Sequence, residues 1–201
     1  MSDSKKEITR ITTPAFRVSF PNVFKPKAAF EGQDPTYNIQ MLFPKDPDSY
    51  DYPKEVKKFA EDISRLKKLA AKAKKDKFGD KKVSGLRNPV RDGDEKDYDG
   101  YKGMYFVNAK SKQKPGIVDR SNEEIIDPQE FYAGCWARAT IVAFAYDTAG
   151  NKGVAFGLQN LQFLGDDEAF SGKKNAKDDF EMIDSDFSSD NSEEEDDDDD
   201  F

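Results

Sequence analysis

The chain contains no histidine and only one cysteine, Cys135, among its 201 residues. Without histidine it lacks the commonest general acid–base group, the Ser-His and Cys-His nucleophile pairs, and His-ligated zinc. A lone cysteine forms no intramolecular disulfide, which is typical of proteins in a reducing cytoplasm. These shortages argue against most catalytic and metal-dependent classes of protein, and we expect no enzyme activity and no cofactor.

The sequence also has no apolar run approaching the roughly 18 residues that a membrane-spanning helix needs. The first residues, Met1–Lys6, lack the apolar stretch of a secretory signal. We therefore expect a cytoplasmic protein that does not contact a membrane.

Negative charge is concentrated in residues 166–201, which hold seventeen acidic and three basic side chains, a net charge of −14. The rest of the chain has a net charge of +6. Adjacent carboxylates such as those of Glu193–Asp200 repel one another and cannot share a core, so we expect a disordered acidic tail ending in Phe201. A polyanion tethered to a mildly basic body can occupy a cationic groove until nucleic acid or a partner protein displaces it.

The body of the chain, about 165 residues, is long enough for one domain with a hydrophobic core. Apolar and polar residues alternate with a period of two at Phe16–Phe20 and Tyr37–Phe43, which predicts β-strands. Pro21 and Pro26 bracket Asn22–Phe24 after the first of these, which predicts an edge strand or a bulge. The clearest hairpin runs from residue 134 to 164 and turns at 147–151. Strands without βαβ alternation favour a small barrel or sandwich.

One segment has a different period. Between Pro53 and Phe78 apolar residues recur every three or four positions, which predicts an inserted amphipathic helix at about residues 54–77 that Gly79 ends. Residues 54–82 hold twelve basic and five acidic side chains, a net charge of +7. Its lysines could be solvated, dock the acidic tail or bind nucleic acid, and the sequence leaves these alternatives open.

Two strand segments combine aromatic with basic side chains, the composition of a surface that stacks unpaired bases and contacts phosphates. The odd positions of residues 134–146 are small and apolar and suit a barrel interior, so the even positions are predicted to face outward. The candidate nucleic-acid-binding residues are Tyr105, Phe106, Lys110, Lys112, Lys114, Trp136, Arg138, Phe144 and Tyr146. Packing of Trp136 and Phe144 beneath a neighbouring element, with Arg138 reaching solvent, is the alternative.

An acidic cluster at Asp92–Asp99 could suggest a metal-dependent nuclease. Metal catalysis needs carboxylates that are fixed on rigid elements, and this cluster lies in a Gly-rich segment without the residue order of a calcium-binding loop. A solvated loop is the interpretation that we favour.

Four segments follow one another in a familiar order, namely Phe16–Pro26, Tyr37–Lys45, Phe131–Arg138 and Asn151–Gln162. Together they resemble the acidic-tailed single-stranded-DNA-binding proteins of tailed bacteriophages, such as that of an enterobacterial phage. Each is a loose strand pattern, so the specificity comes from their order and from the acidic tail. The resemblance covers roughly residues 14–165 and the tail.

The resemblance implies a mainly β protein with an OB-fold, a five-stranded barrel at residues 14–165. A flexible N-terminus of residues 1–13 would precede the barrel, and the tail of residues 166–201 would follow it. It also implies sequence-independent binding of single-stranded DNA in replication, recombination and repair inside the bacterial host cell. The tail would compete with DNA and dock replication proteins such as a polymerase or helicase through Asp196, Asp197, Asp198, Asp199, Asp200 and Phe201. Weak self-association is a further expectation.

A function from another class is an acidic-tailed chaperone or DNA mimic that acts on basic partner proteins. The tail alone is compatible with either function. The outward aromatic and basic side chains of residues 134–146 favour binding of DNA.

Overall fold

The computed structural model describes residues 10–80, 82–148 and 150–170. Its strands are β1 (Arg10–Thr12), β2 (Phe16–Lys27), β3 (Thr36–Pro44), β4 (Val90–Asp92), β5 (Met104–Ser111), β6 (Gly116–Val118), β7 (Trp136–Thr148) and β8 (Asn151–Gly165). Its helices are α1 (Lys54–Lys57) and α2 (Ser64–Phe78), and Gly93–Glu95 forms a single 3₁₀ turn. The acidic tail from Ser171 onward, including Asp196–Phe201, lies outside the described residues.

Five strands close into a ring in the order β7, β2, β3, β5, β8 and back to β7. All neighbours in this ring are antiparallel except β5 and β8, which pair in parallel at Ala109↔Phe156 and Lys110↔Gly157. The short strands β1, β4 and β6 extend the sheet by pairing with β7, β5 and β8. This closed five-stranded arrangement is an OB-fold, and the prediction of a mainly β barrel is confirmed.

The alternation seen in the sequence places one side of each strand inside the barrel. Met41 and Phe43 on β3, Val107 on β5 and Ile141 on β7 are all at most 1% exposed and belong to one core cluster. Leu66 and Leu69 of α2 join the same cluster, so the helix packs against the barrel core. Burial of these apolar surfaces is the main stabilising contribution to the fold.

The predicted helix is present but interrupted. Just before α2 the carboxylate of Asp62 accepts a hydrogen bond from the backbone N–H of Ser64, the first residue of that helix (2.9 Å). The hydrogen bonds from Ser64 lower the pKa of Asp62. The helix ends where the sequence predicts, because Gly79 has a φ of +67° that residues with a Cβ rarely adopt.

The structure differs from the sequence-based prediction at two domain boundaries. Residues 1–13 were expected to be flexible, but Arg10–Thr12 forms β1 on the edge of β7. The tail was expected to begin at Asp166, but residues 166–170 are held on the body by hydrogen bonds such as Phe170 N–H to the Ala133 carbonyl (3.0 Å). The folded body therefore includes the first five residues of the predicted tail.

No helix within residues 10–80, 82–148 and 150–170 has the length and apolar character needed to cross a bilayer.

Candidate nucleic-acid interface

OB-fold barrels bind oligonucleotides on the outward surface of their second and third strands, between the hairpin loops that join strands 1–2 and 4–5. In this chain those strands are β3 and β5, and the loops are the β2–β3 and β7–β8 turns. The outward side chains of β2, β3 and β5 are here called the outer sheet face. Two rows of this face are in cross-strand register. One row is Ser19, Gln40 and Asn108, and the other is Asn22, Asn38 and Lys110.

Four aromatic rings form a continuous strip along this face. Successive ring centroids are 5.6 Å apart for Phe20 and Tyr98, 5.4 Å for Tyr98 and Tyr101, and 5.5 Å for Tyr101 and Phe106. Tyr101 and Phe106 are buried, whereas Phe20 is 47% and Tyr98 55% exposed. The aromatic strip therefore has a buried half that supports an exposed half, and the exposed half offers ring surface on which bases can stack.

The backbone at Phe20 is unusual. The pairing of β2 with β3 shifts by one residue between Ser19 and Asn22, because three steps on β2 face two steps from Gln40 to Asn38. Within this bulge Phe20 has a φ of +45°, a left-handed conformation that is rare for a bulky residue. β-bulges redirect side chains, and strained backbone clusters at functional sites. In a regular strand Phe20 would point to the same side as Phe16 and Val18, towards the core. The bulge turns it outward instead.

Hydrogen bonds fix the buried part of the strip to the sheet. The Tyr101 hydroxyl donates to Gln40 Oε1 and is 3.0 Å from Ser19 Oγ, which therefore acts as the donor to Tyr101. Burial raises the pKa of the Tyr101 hydroxyl, so it remains protonated at neutral pH. The ring of Tyr101 is thus held in one position beneath Tyr98.

The acidic loop is largely exposed, and two of its carboxylates also order the residues that carry Tyr98. Lys45 Nζ lies 2.5 Å from Asp92 Oδ1 and 2.7 Å from Asp94 Oδ2. Asp94 also accepts a hydrogen bond from the Gly103 backbone N–H (2.6 Å), which closes the loop. The hydrogen bonds from Lys45 hold the pKa of both carboxyl groups below 3.8 and raise the pKa of Lys45. These two carboxylates therefore have a structural role.

Cations flank the strip at sites that could meet phosphates. Arg91 on β4 places its guanidinium 4.3 Å from the centre of the Phe106 ring. Lys110 is exposed and in register with Asn38. Lys112 and Lys114 are exposed beyond the end of β5, and Lys112 Nζ is 3.7 Å from Asp34 in the β2–β3 loop. Lys110 thus lies on the outer sheet face and Lys112 beside the β2–β3 loop.

The β7–β8 hairpin continues this surface. Lys110 on β5 pairs with Gly157 on β8, and Gly157 pairs with Val142 on β7. Phe144 and Tyr146 are on the same side of β7 as Val142, and Phe144 is 44% exposed. An added Cβ at Gly153 would lie 2.5 Å from the Tyr146 hydroxyl, so glycine allows this ring to lie across β8. Two of the predicted aromatic residues therefore adjoin the outer sheet face.

The predicted role of Trp136 is wrong. Trp136 does face outward from the barrel, but Tyr50, Tyr52 and Val56 cover it, and its side chain is 0% exposed. Its indole N–H donates to Asp167 Oδ2 at 2.7 Å. A base cannot stack on a covered ring, so the alternative considered from the sequence, packing beneath a neighbouring element, applies to Trp136.

Arg138 belongs to the same covered region rather than to the outer sheet face. Its Nε donates to Gln162 Oε1 at 2.8 Å, and its guanidinium lies 4.4 Å from the centre of the Phe59 ring. These contacts hold Arg138 against the segment between α1 and α2, so its predicted contact with DNA is not supported by the geometry.

Tyr105 and Phe106 are also corrected, because neighbouring residues of a strand face opposite sides. Phe106 is outward but only 2% exposed beneath Tyr101 and Arg91, so it supports the strip and does not itself offer a stacking surface. Tyr105 packs towards the core, and Lys67 Nζ of α2 is 4.6 Å from its ring centre. Tyr105 therefore lies away from the interface.

Sequence reasoning missed the exposed members of the site. Alternation places Phe20 on the same face as Phe16 and Val18. The available signal for its reversal was the pair Pro21 and Pro26, which predicted an edge strand or a bulge. Tyr98 was missed because it lies in a segment rich in Gly and Asp. An aromatic residue within such a polar loop was the available signal.

The residues that follow β8 lie at the margin of this interface. The guanidinium of Arg17 on β2 donates to the Glu168 carbonyl (2.6 Å), lies 3.6 Å from Asp167 and is 4.4 Å from the Phe170 ring centre. An added Cβ at Gly100 would lie 2.2 Å from Phe170, so this ring packs directly on the loop that carries Tyr98. The chain therefore leaves the body beside the aromatic strip.

This closed five-stranded barrel with an aromatic and basic outer face is an oligonucleotide-binding type of fold. The family model of the Enterobacter phage Enc34 ssDNA-binding protein matches residues 9–200, and the chain therefore belongs to that family. A curated relative, protein p50 of Acyrthosiphon pisum secondary endosymbiont phage 1, is 30% identical over 166 residues, which cover 78% of this chain and 83% of p50.

Two solved structures of the bacteriophage Enc34 protein are similar. The single-stranded DNA-binding protein of Enc34 in complex with ssDNA is 28% identical, with a TM-score of 0.63 over 80% of this chain and 89% of that one. A C-terminal truncation of the Enc34 protein is 24% identical, with a TM-score of 0.62 over 80% and 88% of the two chains, and supports the fold.

Proposed function

We propose that this chain binds single-stranded DNA, without sequence preference and without catalysis, along the outer sheet face and the aromatic strip. Membership of the Enc34 family and the Enc34 complex with ssDNA support this function. The proposed location of the DNA rests on one observation, the exposed pair Phe20 and Tyr98. A left-handed bulge and an ordered loop hold this pair on the surface where OB-folds bind oligonucleotides. Stacking on such rings tolerates any base.

The path of the strand follows from the same surface. Bases would stack on Phe20 and Tyr98, and Phe144 and Tyr146 would extend the platform towards the β7–β8 hairpin. Arg91, Lys110, Lys112 and Lys114 would contact phosphates, which position a strand without reading its sequence. The asparagine and glutamine side chains of the outer sheet face add neutral hydrogen-bonding groups between them.

For the acidic tail we propose two roles in phage DNA replication, recombination and repair in the host cytoplasm. Its carboxylates compete with DNA for the cationic surface, and Asp196–Phe201 docks replication proteins such as a polymerase or helicase. Support comes from the exit of the chain beside the aromatic strip at Phe170, because a tethered polyanion there has a high effective concentration at the interface. A chain ending near Gly172 is expected to bind single-stranded DNA more tightly, by an amount that shrinks as salt rises.

The test is a fluorescence anisotropy titration with a labelled oligothymidylate and with a duplex of the same length. Tight, salt-sensitive binding to the single strand alone is expected, and it should weaken when Phe20 and Tyr98 are replaced by Ala. Equal affinity for the duplex, or no binding to either, would overturn the proposed function. Equal affinity with and without the tail at low salt would overturn the competition.

A further inference from the structure

A concave site lies away from the interface, between α2 and the sheet. It has a volume of about 200 Å³ and is here called the α2 pocket. Ala70, Leu86 and Val154 are among the apolar side chains that line it. All the charged side chains in its lining are cationic, namely Lys67, Lys74 and Arg87. An apolar pocket with a cationic rim fits a peptide in which an aromatic residue accompanies carboxylates.

The α2 pocket and the aromatic strip are on opposite sides of the sheet. Val90 lines the pocket, whereas the next residue, Arg91, stacks on Phe106 of the strip. In the same way Lys67 of the pocket rim contacts Tyr105, while Phe106 faces the strip. Because successive strand residues point to opposite sides, a ligand in the α2 pocket leaves the strip open.

We propose that the α2 pocket binds the segment Asp196–Phe201 of this same chain, with the Phe201 ring in the pocket and the aspartates along its cationic rim. The segment is five aspartates followed by one phenylalanine, which matches the lining in both charge and polarity. The inference deepens the proposed role of the tail: it rests on that role for its purpose and names where Phe201 is held when no replication protein binds it.

Size and charge both suit this occupant. A cavity of about 150 Å³ lined by apolar side chains is known to hold benzene, so the α2 pocket has room for a phenyl ring. Around the rim, α2 carries seven basic side chains and one acidic one, which gives the helix an attractive field for a polyanion. Most of these basic side chains, such as Lys68 and Lys75, are exposed on the helix surface.

The chain between Phe170 and Phe201 is long enough to reach the α2 pocket. Phe170 is the last described residue, and 30 residues separate it from Phe201. At about 3.3–3.6 Å per residue such a segment spans up to roughly 100 Å. A domain of this size has a radius of gyration of only about 15 Å, so Phe201 can reach the far side of the sheet.

Photocrosslinking in the full-length chain tests the proposal without DNA and without a replication protein. p-Azidophenylalanine replaces Phe201, and the cross-linked peptides are identified by mass spectrometry. We expect attachment to residues 65–77 or 83–91, with a yield that does not depend on protein concentration. Attachment to residues 17–22 or 98–101 would place the tail on the aromatic strip and overturn the α2 pocket assignment. Cross-links that join two chains would overturn docking within one chain.

Variants of the pocket give a matched comparison. Ala71→Phe fills the pocket from an exposed position of α2 and should lower the intramolecular yield about tenfold, since burial of one apolar side chain corresponds to roughly that factor in affinity. Lys67→Gln with Lys74→Gln should also lower the yield, whereas Lys68→Gln with Lys77→Gln makes the same charge change on α2 outside the pocket. Equal loss in both pairs would mean general attraction to the helix and would overturn the specific site.

The cross-linking result and the DNA titration can fail separately. A chain that binds oligothymidylate but gives no pocket cross-links would refute the inference and leave the proposed DNA binding intact. Pocket cross-links in a chain that does not bind DNA would refute the proposed DNA binding and leave the pocket assignment intact.

Discussion

Two regions on the outside of the barrel each carry an outward aromatic side chain, but their surroundings differ. At the start of β7, Trp136 and Arg138 face outward and alternate with small apolar residues, and around the β2 bulge Phe20 also faces outward. The β7 region is covered by residues 50–60 and 166–170, whereas Phe20 and its partner Tyr98 remain about half exposed. An outward aromatic residue is thus part of a core in one region and part of a candidate binding surface in the other, and the difference lies in the segments that pack over it.

The largest expected effect is the loss of stability when Trp136, in the covered region of β7, is truncated. Trp136→Ala should lower the free energy of unfolding by about 3–5 kcal/mol, because it leaves a cavity beneath Tyr50 and Tyr52 and removes the hydrogen bond to Asp167. Urea unfolding followed by far-UV circular dichroism measures this change. Phe144→Ala, on the exposed part of the same strand, is the control and should cost much less. Equal stability of the two variants would contradict the burial of Trp136.

Substitutions in the exposed region should lower the affinity for DNA and have little effect on the stability of the protein. Phe20→Ala or Tyr98→Ala should weaken binding of oligothymidylate by about 1–3 kcal/mol for each base that loses its stacking partner. Neither should change the urea midpoint greatly, since both rings are about half exposed. Ile126→Ala, which truncates a 75% exposed apolar side chain elsewhere, is the control. Unchanged affinity in both aromatic variants would remove the aromatic strip from the binding site.

A smaller effect concerns the cations beside the strip. Replacing Lys110, Lys112 and Lys114 by Gln should lower affinity similarly for all base compositions. It should also reduce the slope of log affinity against log salt by about 0.7 for each phosphate that the protein no longer neutralises. The same charge change at Lys54, Lys57 and Lys68 controls for net charge. A slope that falls equally in both triple variants would mean that the three lysines act only through the overall field of the protein.

The smallest effect should come from the support beneath Tyr98. Lys45→Gln removes the partner that lowers the pKa of Asp92 and Asp94, so the loop should become less ordered and affinity should fall modestly at pH 7. Because these pKa values are depressed in the folded state, the stabilisation is present above the usual carboxyl pKa of 3.8 and is lost as pH falls below it.

The difference in urea stability between wild type and Lys45→Gln should therefore shrink as the pH falls below 3.8, in the range where these carboxylates take up protons. Lys96→Gln, on the same loop, is the control for the loss of one charge. A stability difference that is constant over this range would show that the Lys45 ion pairs do not order the loop.

Much of the fold was predictable because it depends on local patterns. The alternation at Tyr37–Phe43 and in the hairpin of residues 134–164 predicted strands, and those strands are present. The helix was predicted with a correct end at Gly79, but its interruption before Ser64 was not, because that break depends on the Asp62 hydrogen bond and on Val56 reaching the Trp136 cluster.

The candidate site was predictable only in part. Lys110, Phe144 and Tyr146 were predicted from their strands and lie on or beside the outer sheet face, where their contact with DNA stays a prediction. Trp136 was predicted on the correct side of its strand, but Tyr52, which is distant in sequence, packs over it. Tyr105 and Phe106 were both predicted to bind without a side being assigned to either, and Tyr101 packs over Phe106. Period-two alternation specifies which way a side chain points, and it contains no information about what packs over it.

The sequence alone determined the strand pattern, the separation of a basic body from an acidic tail and the exclusion of histidine chemistry, because these depend on composition and local periodicity. Tertiary structure decided which aromatic rings are exposed. The bulge at Phe20 reverses the outcome of simple alternation, and the ion pairs of Lys45 place Tyr98 beside it, although 77 positions separate the two aromatic residues in the chain. Such contacts between distant segments arise only when the sheet forms, since the pairing of β2 with β3 and of β3 with β5 brings the β2 bulge and the loop before β5 together on one face.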